Sequence, residues 1–288
     1  MRYLTKEWDD LCQHTFLHID MRADDRAREY SEDLYQELYK ISENEHVESQ
    51  HRYYDCDPRC LLDSEGTVGI PLHKFLSGEE LTEEDYVVIH IPEDHKEDIL
   101  RRIEEFDARP PFDEEKCREE FQSMQSYIEQ RKVNEIRPYG LLNQIADTRV
   151  YGLGYCTEEI LQQLISISQQ NHEEVNRIMK ECDRALELEK IPKHLRETFG
   201  FHDCKVIEYK AGENISLSFD TSAGFTPYNK VTFVTPKIIK CEEHIVGNSW
   251  LYEELYCTES GYEAHMLFGG VDLPELIISC EDIIVEIE

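Results

Sequence analysis

The sequence predicts an α+β protein: a mainly α-helical region over residues 1–195, then a C-terminal antiparallel β domain over 196–288, sandwich-like or barrel-like. Three observations carry this prediction. Up to about Lys193 apolar residues recur every three to four positions, and beyond it they alternate. Caps and prolines divide the first part into separate helices. Five or six alternating segments fill the last 90 or so residues with no helical pattern among them.

In chain order, Thr5 is an N-cap with Glu7 in the first turn, and Trp8, Leu11, Cys12, Thr15 and Ile19 share one helical face. A second helix over about 24–48 carries Tyr30, Leu34, Leu38 and Ile41 as its stripe, with Asp33 and Glu37 opposite. Residues 50–80 are punctuated by Pro58, Gly66, Gly69, Pro71 and Gly78, which predicts loops and short elements. A helix follows Pro92 and stops at Pro110-Pro111. Asp113 caps another over about 114–132. Thr157 caps the longest, whose apolar side runs from Leu161 through Leu164, Val175, Ile178 and Cys182 to Leu186. No segment recurs at a fixed period, so the chain is not a solenoid.

In the last third, Ile215, Leu217 and Phe219 alternate with Ser216, Ser218 and Asp220, a strand with one dry face. Val231 and Phe233 alternate likewise, and Pro236 interrupts. Residues 250–268 read as a hairpin turning near Glu259-Ser260-Gly261, with Tyr262, Ala264, Met266 and Phe268 on one face. Leu276, Ile278 and Cys280 are even-numbered, whereas Ile283, Val285 and Ile287 are odd-numbered. A bulge or bend at Glu281-Asp282 is therefore expected.

The formal net charge is −32, and it is spread along the chain: residues 201–288 hold 16 acidic and five basic side chains, leaving −21 on residues 1–200. Such a field repels nucleic acid and anionic membranes and attracts basic proteins. The start of the chain has no secretory h-region, no run reaches the roughly 18 apolar residues of a span, and the ten cysteines sit mostly in apolar patterns. A cytoplasmic protein with free thiols and no cofactor is expected.

Several constellations carry residue types capable of chemistry. His202-Asp203 offers metal-ligand types, but an extended segment follows at once, so the pair is read as seating the first strand. Asp10, His14 and His18 repeat every four residues and form a helical ridge opposite the apolar face, the pattern of a solvated side. Cys56 and Cys60 flank a proline turn near His51, without the second cysteine pair a structural zinc site needs. Carboxylate pairs such as Glu253-Glu254 abound among 62 acids, and pairing alone nominates no general acid. There is no P-loop, nucleophile elbow or zincin motif. The loop 221–230 contains Phe225 and Tyr228, rigid aromatics of the kind that anchor partners. On 249–256, Trp250, Tyr252 and Tyr256 are expected on one strand face and Leu251 and Glu253 on the other. The candidate binding residues are thus Phe225, Tyr228, Trp250, Tyr252, Glu253 and Glu254.

At MRYLTKEW, RPPFDEEKCREEF, IADTRVYGLGY and FHDCKV…WLYEELY…ELIISCEDI, the chain resembles an uncharacterised bacterial family, a domain of unknown function common in Gram-positive lineages. The likeness covers nearly the full length and implies no activity. The last 90 or so residues also resemble small β domains among immunity proteins of polymorphic toxin systems, which implies binding and neutralising a partner protein. The expected function is an acidic module, immunity- or antitoxin-like, that binds a basic protein. The alternative is a metal-dependent hydrolase built on the His202-Asp203 step, with His14 and His18 as further ligands.

Overall fold

A computed structural model describes residues 1–70, 82, 86–242 and 244–288. The part of the punctuated 50–80 segment beyond Ile70 lies outside the described residues. The elements are α1 (Lys6–Gln13), β1 (Arg22–Ala23), α2 (Glu32–Tyr54), β2 (Val68–Gly69), β3 (Val87–Val88), α3 (Glu93–Ala108), α4 (Glu114–Ile136), α5 (Thr148–Gly152), β4 (Tyr155–Cys156), α6 (Glu158–Leu188) and α7 (Lys193–Thr198). Eight strands follow: β5 (Lys205–Ala211), β6 (Ile215–Asp220), β7 (Lys230–Val234), β8 (Lys237–Cys241), β9 (Trp250–Thr258), β10 (Gly261–Phe268), β11 (Glu275–Cys280) and β12 (Asp282–Glu286). Helices thus precede antiparallel sheets in an α+β fold. The change falls between Thr198 and Lys205, close to the shift in periodicity.

The chain forms two compact units, Met1–Met21 with Glu158–Glu288, and Arg22–Thr157. The long helix α6 and α1 belong with the strands, so this division runs differently from a cut near residue 195. The reason is that α1 and α6 cover a sheet face.

In the unit Arg22–Thr157, Ser31 Oγ accepts from Leu34 N at 3.2 Å and starts α2 later than the stripe implies. Asp24 caps a separate 3₁₀ turn, Asp25–Arg28, and Tyr30 is left exposed. Leu34 and Leu38 pack with Ala27, Val150 and Tyr155. Asp113 Oδ1 caps α4 through Lys116 N at 3.0 Å, as its position predicts. The IADTRVYGLGY segment is a packing device. Arg149 is held by Asp147 and Glu32, each at 2.8 Å, and stacks over Tyr35 at 4.3 Å. Gly152 lets α5 approach α4, since a Cβ there would stand 2.8 Å from the Glu129 Cβ.

In the other unit the sheets run β12-β7-β6-β5 and β8-β11-β10-β9, every neighbour antiparallel, and neither closes into a barrel. Their inner faces share one core, with Val206, Leu217 and Phe233 against Ala264, Met266 and Ile278 around Trp250. Burial alternates along β6 and β7, as expected of a sheet with a wet outer face. Strand β10 is buried on both faces from Ala264 to Phe268, because Leu4, Trp8 and Cys182 close over the second sheet together with Tyr252. Desolvation pushes the Cys182 thiol up to about 12, which makes it a packing group.

Helix α1 ends at Gln13 instead of continuing to Ile19. The Thr15 hydroxyl donates to Cys12 O at 2.7 Å and Asn171 Nδ2 to His14 O at 2.8 Å, taking carbonyls that a longer helix would use. The expected Asp10/His14/His18 ridge therefore does not form. His14 is buried with Nδ1 2.6 Å from Asp10 O, and Ile19 is exposed.

The bend expected at Glu281-Asp282 is a change of sheet: β11 ends at Cys280, β12 begins at Asp282, and Ile283 returns to the core. Gly261, at φ 151°, lies against this crossover, and a Cβ on it would stand 2.2 Å from Cys280 O. Gly261→Ala is expected to cost about 2–4 kcal/mol of stability through backbone strain and overpacking, read as a lower urea midpoint. An unchanged midpoint would show that the crossover yields.

Candidate protein-binding surface

Strand directions send the connections of the sandwich to two unlike ends. At one end the turns are short: 212–214, 235–236, 259–260 and residue 281. At the other end lie the long loops 221–229, 242–249 and 269–274, beside the stretch 199–204 that enters β5. These loops are tied to one another. Val206 N donates to Asn248 O at 2.9 Å, Gly269 N to Ser249 O at 2.7 Å, and Lys205 pairs with Ser249. Gly224 lies so close to Cys204 that a Cβ there would stand 2.2 Å from its Sγ.

On this framed end Phe225 is 88% exposed, and Val246 and Val271 are exposed as well. Tyr228, in the same loop as Phe225, packs half-buried on the core, and its N donates to Thr226 Oγ1 at 3.2 Å. Asp220 Oδ1 accepts from Ser222 N at 3.0 Å at the loop's start, a bond that lowers the Asp220 pKa. The loop that presents Phe225 is therefore braced at several points.

His202 and Asp203 lie at the same end, in the turn before β5. Their Nδ1 and Oδ2 are 3.0 Å apart, Asp203 takes φ 66°, and Asp203 N donates to Trp250 O at 2.9 Å. This turn joins the entering chain to β9. Among the described residues no three His, Cys, Asp or Glu side chains group to hold a metal ion. His14 and His18 belong to the α1 region, where His18 Nδ1 is buried with no hydrogen-bond partner.

Strand β9 distributes the remaining candidates by an irregularity. Leu267 pairs with Tyr252 but Phe268 with Trp250, so Leu251 is bulged out of register. Trp250 thereby moves to the face of Glu253 and Leu255, away from Tyr252 and Tyr256. The expected grouping of Trp250, Tyr252 and Tyr256 on one face does not occur. Trp250 is fully buried in the inter-sheet core. Tyr252 meets Trp8 edge-on at 5.1 Å and donates to Asp9 Oδ1 at 3.2 Å. Glu254, 0% exposed, accepts from Arg2 N at 2.7 Å, Tyr3 N at 2.8 Å, Leu4 N at 2.7 Å and the Tyr256 hydroxyl at 2.8 Å.

Glu253 points the other way, into a cavity of about 170 Å³. Its Oε2 accepts the Trp250 indole N–H at 2.7 Å. Desolvation raises its pKa to about 7, against the smaller lowering effects of that bond and of His202. It is thus the carboxyl with a raised pKa that sequence pairing could not single out. Its only signal in the sequence is the neighbouring Trp250, which becomes a partner only through the bulge. Because the folded form holds its proton up to about pH 7 and the unfolded form only to about 4.5, stability falls as pH rises through that window. Glu253→Gln keeps an acceptor for the indole and removes the ionisation. It is expected to add about 2–3 kcal/mol at pH 8 and little at pH 4. Denaturant titrations at the two pH values check this, and an equal effect at both would contradict it.

No helix among the described residues is long and apolar enough to cross a membrane. No curated protein and no solved structure matches the chain. Residues 119–279, from within α4 to β11, match a family described as protein of unknown function (DUF4085). With more than half of its length matched, the chain belongs to the DUF4085 family.

Proposed function

We propose that the loop end of the sandwich docks a partner protein of basic character, with Phe225 as its anchor, and that the protein acts in the cytoplasm as an immunity- or antitoxin-like binder. The observation that carries this is Phe225: a large ring 88% exposed on a loop braced by Tyr228, Asp220 and the Gly224–Cys204 contact. Rigid aromatics on loops above a fixed scaffold bury area at low entropic cost. The net charge of −32 supplies long-range attraction for a basic surface. The hydrolase reading has no comparable support, since His202 and Asp203 engage each other where the chain enters β5.

Because Phe225 is exposed, Phe225→Ala should change stability by less than about 0.5 kcal/mol. Retention of a basic protein from native lysate should fall at least about tenfold in this variant, as for an interface anchor. Retention by the unmodified chain should also weaken as salt rises from about 50 to 500 mM. Capture that is indifferent both to Phe225→Ala and to salt would remove the reading.

A further inference from the structure

The cavity beside Glu253 adjoins the stretch 199–204 but uses no residue of the 221–229 loop that presents Phe225. Leu186, Ile191, Leu195, Phe199 and Leu255 wall it, and its polar lining is Glu253 and Arg196. Arg196 is already committed: its Nε donates to Ile191 O at 3.1 Å and its other end to Glu189 O, closing the end of α6. Glu189 in turn accepts from Cys257 N at 2.8 Å. His202, the other basic side chain near Glu253, has its Nδ1 3.0 Å from Asp203 Oδ2. Glu253 Oε1 takes no hydrogen bond and no ion pair from any described residue. The bare backbone of Gly200 faces it, where a Cβ would come to 3.1 Å. Glu253 is thus a half-buried carboxyl at the edge of aliphatic walls, with one oxygen unused by the protein and no paired cation of its own.

From this geometry we propose that the cavity is a binding site for a small primary alkylammonium ion, its ammonium on Glu253 Oε1 and its alkyl chain against Leu186, Ile191, Leu195 and Leu255. The volume suits the occupant. About 170 Å³ is the space of five or six waters, or of an aliphatic chain of about four or five carbons with its nitrogen. One charged contact fixes the head, and the apolar walls select length and exclude branched or polar tails. The Trp250 indole holds the carboxyl in place, so binding requires little reorganisation.

The test is calorimetric titration of the full chain with n-butylammonium chloride at pH 8, with butan-1-ol as the neutral isostere. Saturable one-to-one binding is expected. Its dissociation constant should rise at least tenfold in Glu253→Gln, and at least tenfold at pH 5.5, where Glu253 is protonated. Butan-1-ol should bind at least tenfold more weakly than the amine. Glu253→Gln is expected to fold at least as stably as the parent, so loss of binding there reports the contact. Absence of saturable binding, equal binding by Glu253→Gln, or equal binding of butan-1-ol each overturns the proposal.

Discussion

Glu254 holds the strand-bearing unit together. Its carboxylate lies at zero exposure and gathers three consecutive backbone N–H groups, of Arg2, Tyr3 and Leu4, with the Tyr256 hydroxyl as a fourth donor. A buried carboxylate without such donors costs several kcal/mol, whereas with four of them the arrangement is strong and directional. The consequence runs outward. Fixing residues 2–4 on β9 sets the start of α1, which places Trp8 on Tyr252 and completes, with α6, the cover over the second sheet. That cover is why β10 is dry on both faces, and why the compact unit joins the first residues to the last.

Much of this fold is legible in the residues. Thr5, Asp113 and the prolines at 110–111 mark helix ends correctly, because capping is local and depends on few atoms. The parity change between Cys280 and Ile283 reveals the switch of sheets, since a strand's dry face has a strict period of two. What escapes is tertiary in origin. The end of α1 is decided partly by Asn171, more than 150 residues away in sequence. The bulge at Leu251 depends on the pairing of β9 with β10, and alternation alone cannot show it. Glu253 becomes distinct from 61 other acids only when Trp250 and the cavity stand beside it. The compact units escape for the same reason, as helical periodicity does not say which sheet a helix will cover.

Within the matched residues 119–279, the segment IADTRVYGLGY is occupied by framework contacts: Asp147 with Arg149, and Gly152 against Glu129. The two sites proposed for recognition centre on Phe225 and on Glu253. One stands on a loop outside the regular strands and the other in a small cavity, positions that a fold tolerates at some cost and does not itself require.

The unlike ends of the sandwich imply unequal freedom to diverge. A residue added at 235–236 or 259–260 would shift a strand by one place and exchange its dry and wet sides. A residue added within 221–229 or 269–274 would be absorbed at a small closure entropy, with the ladders undisturbed. Drift in length should therefore accumulate around Phe225 and Val271, while the opposite rim keeps time for the whole sheet.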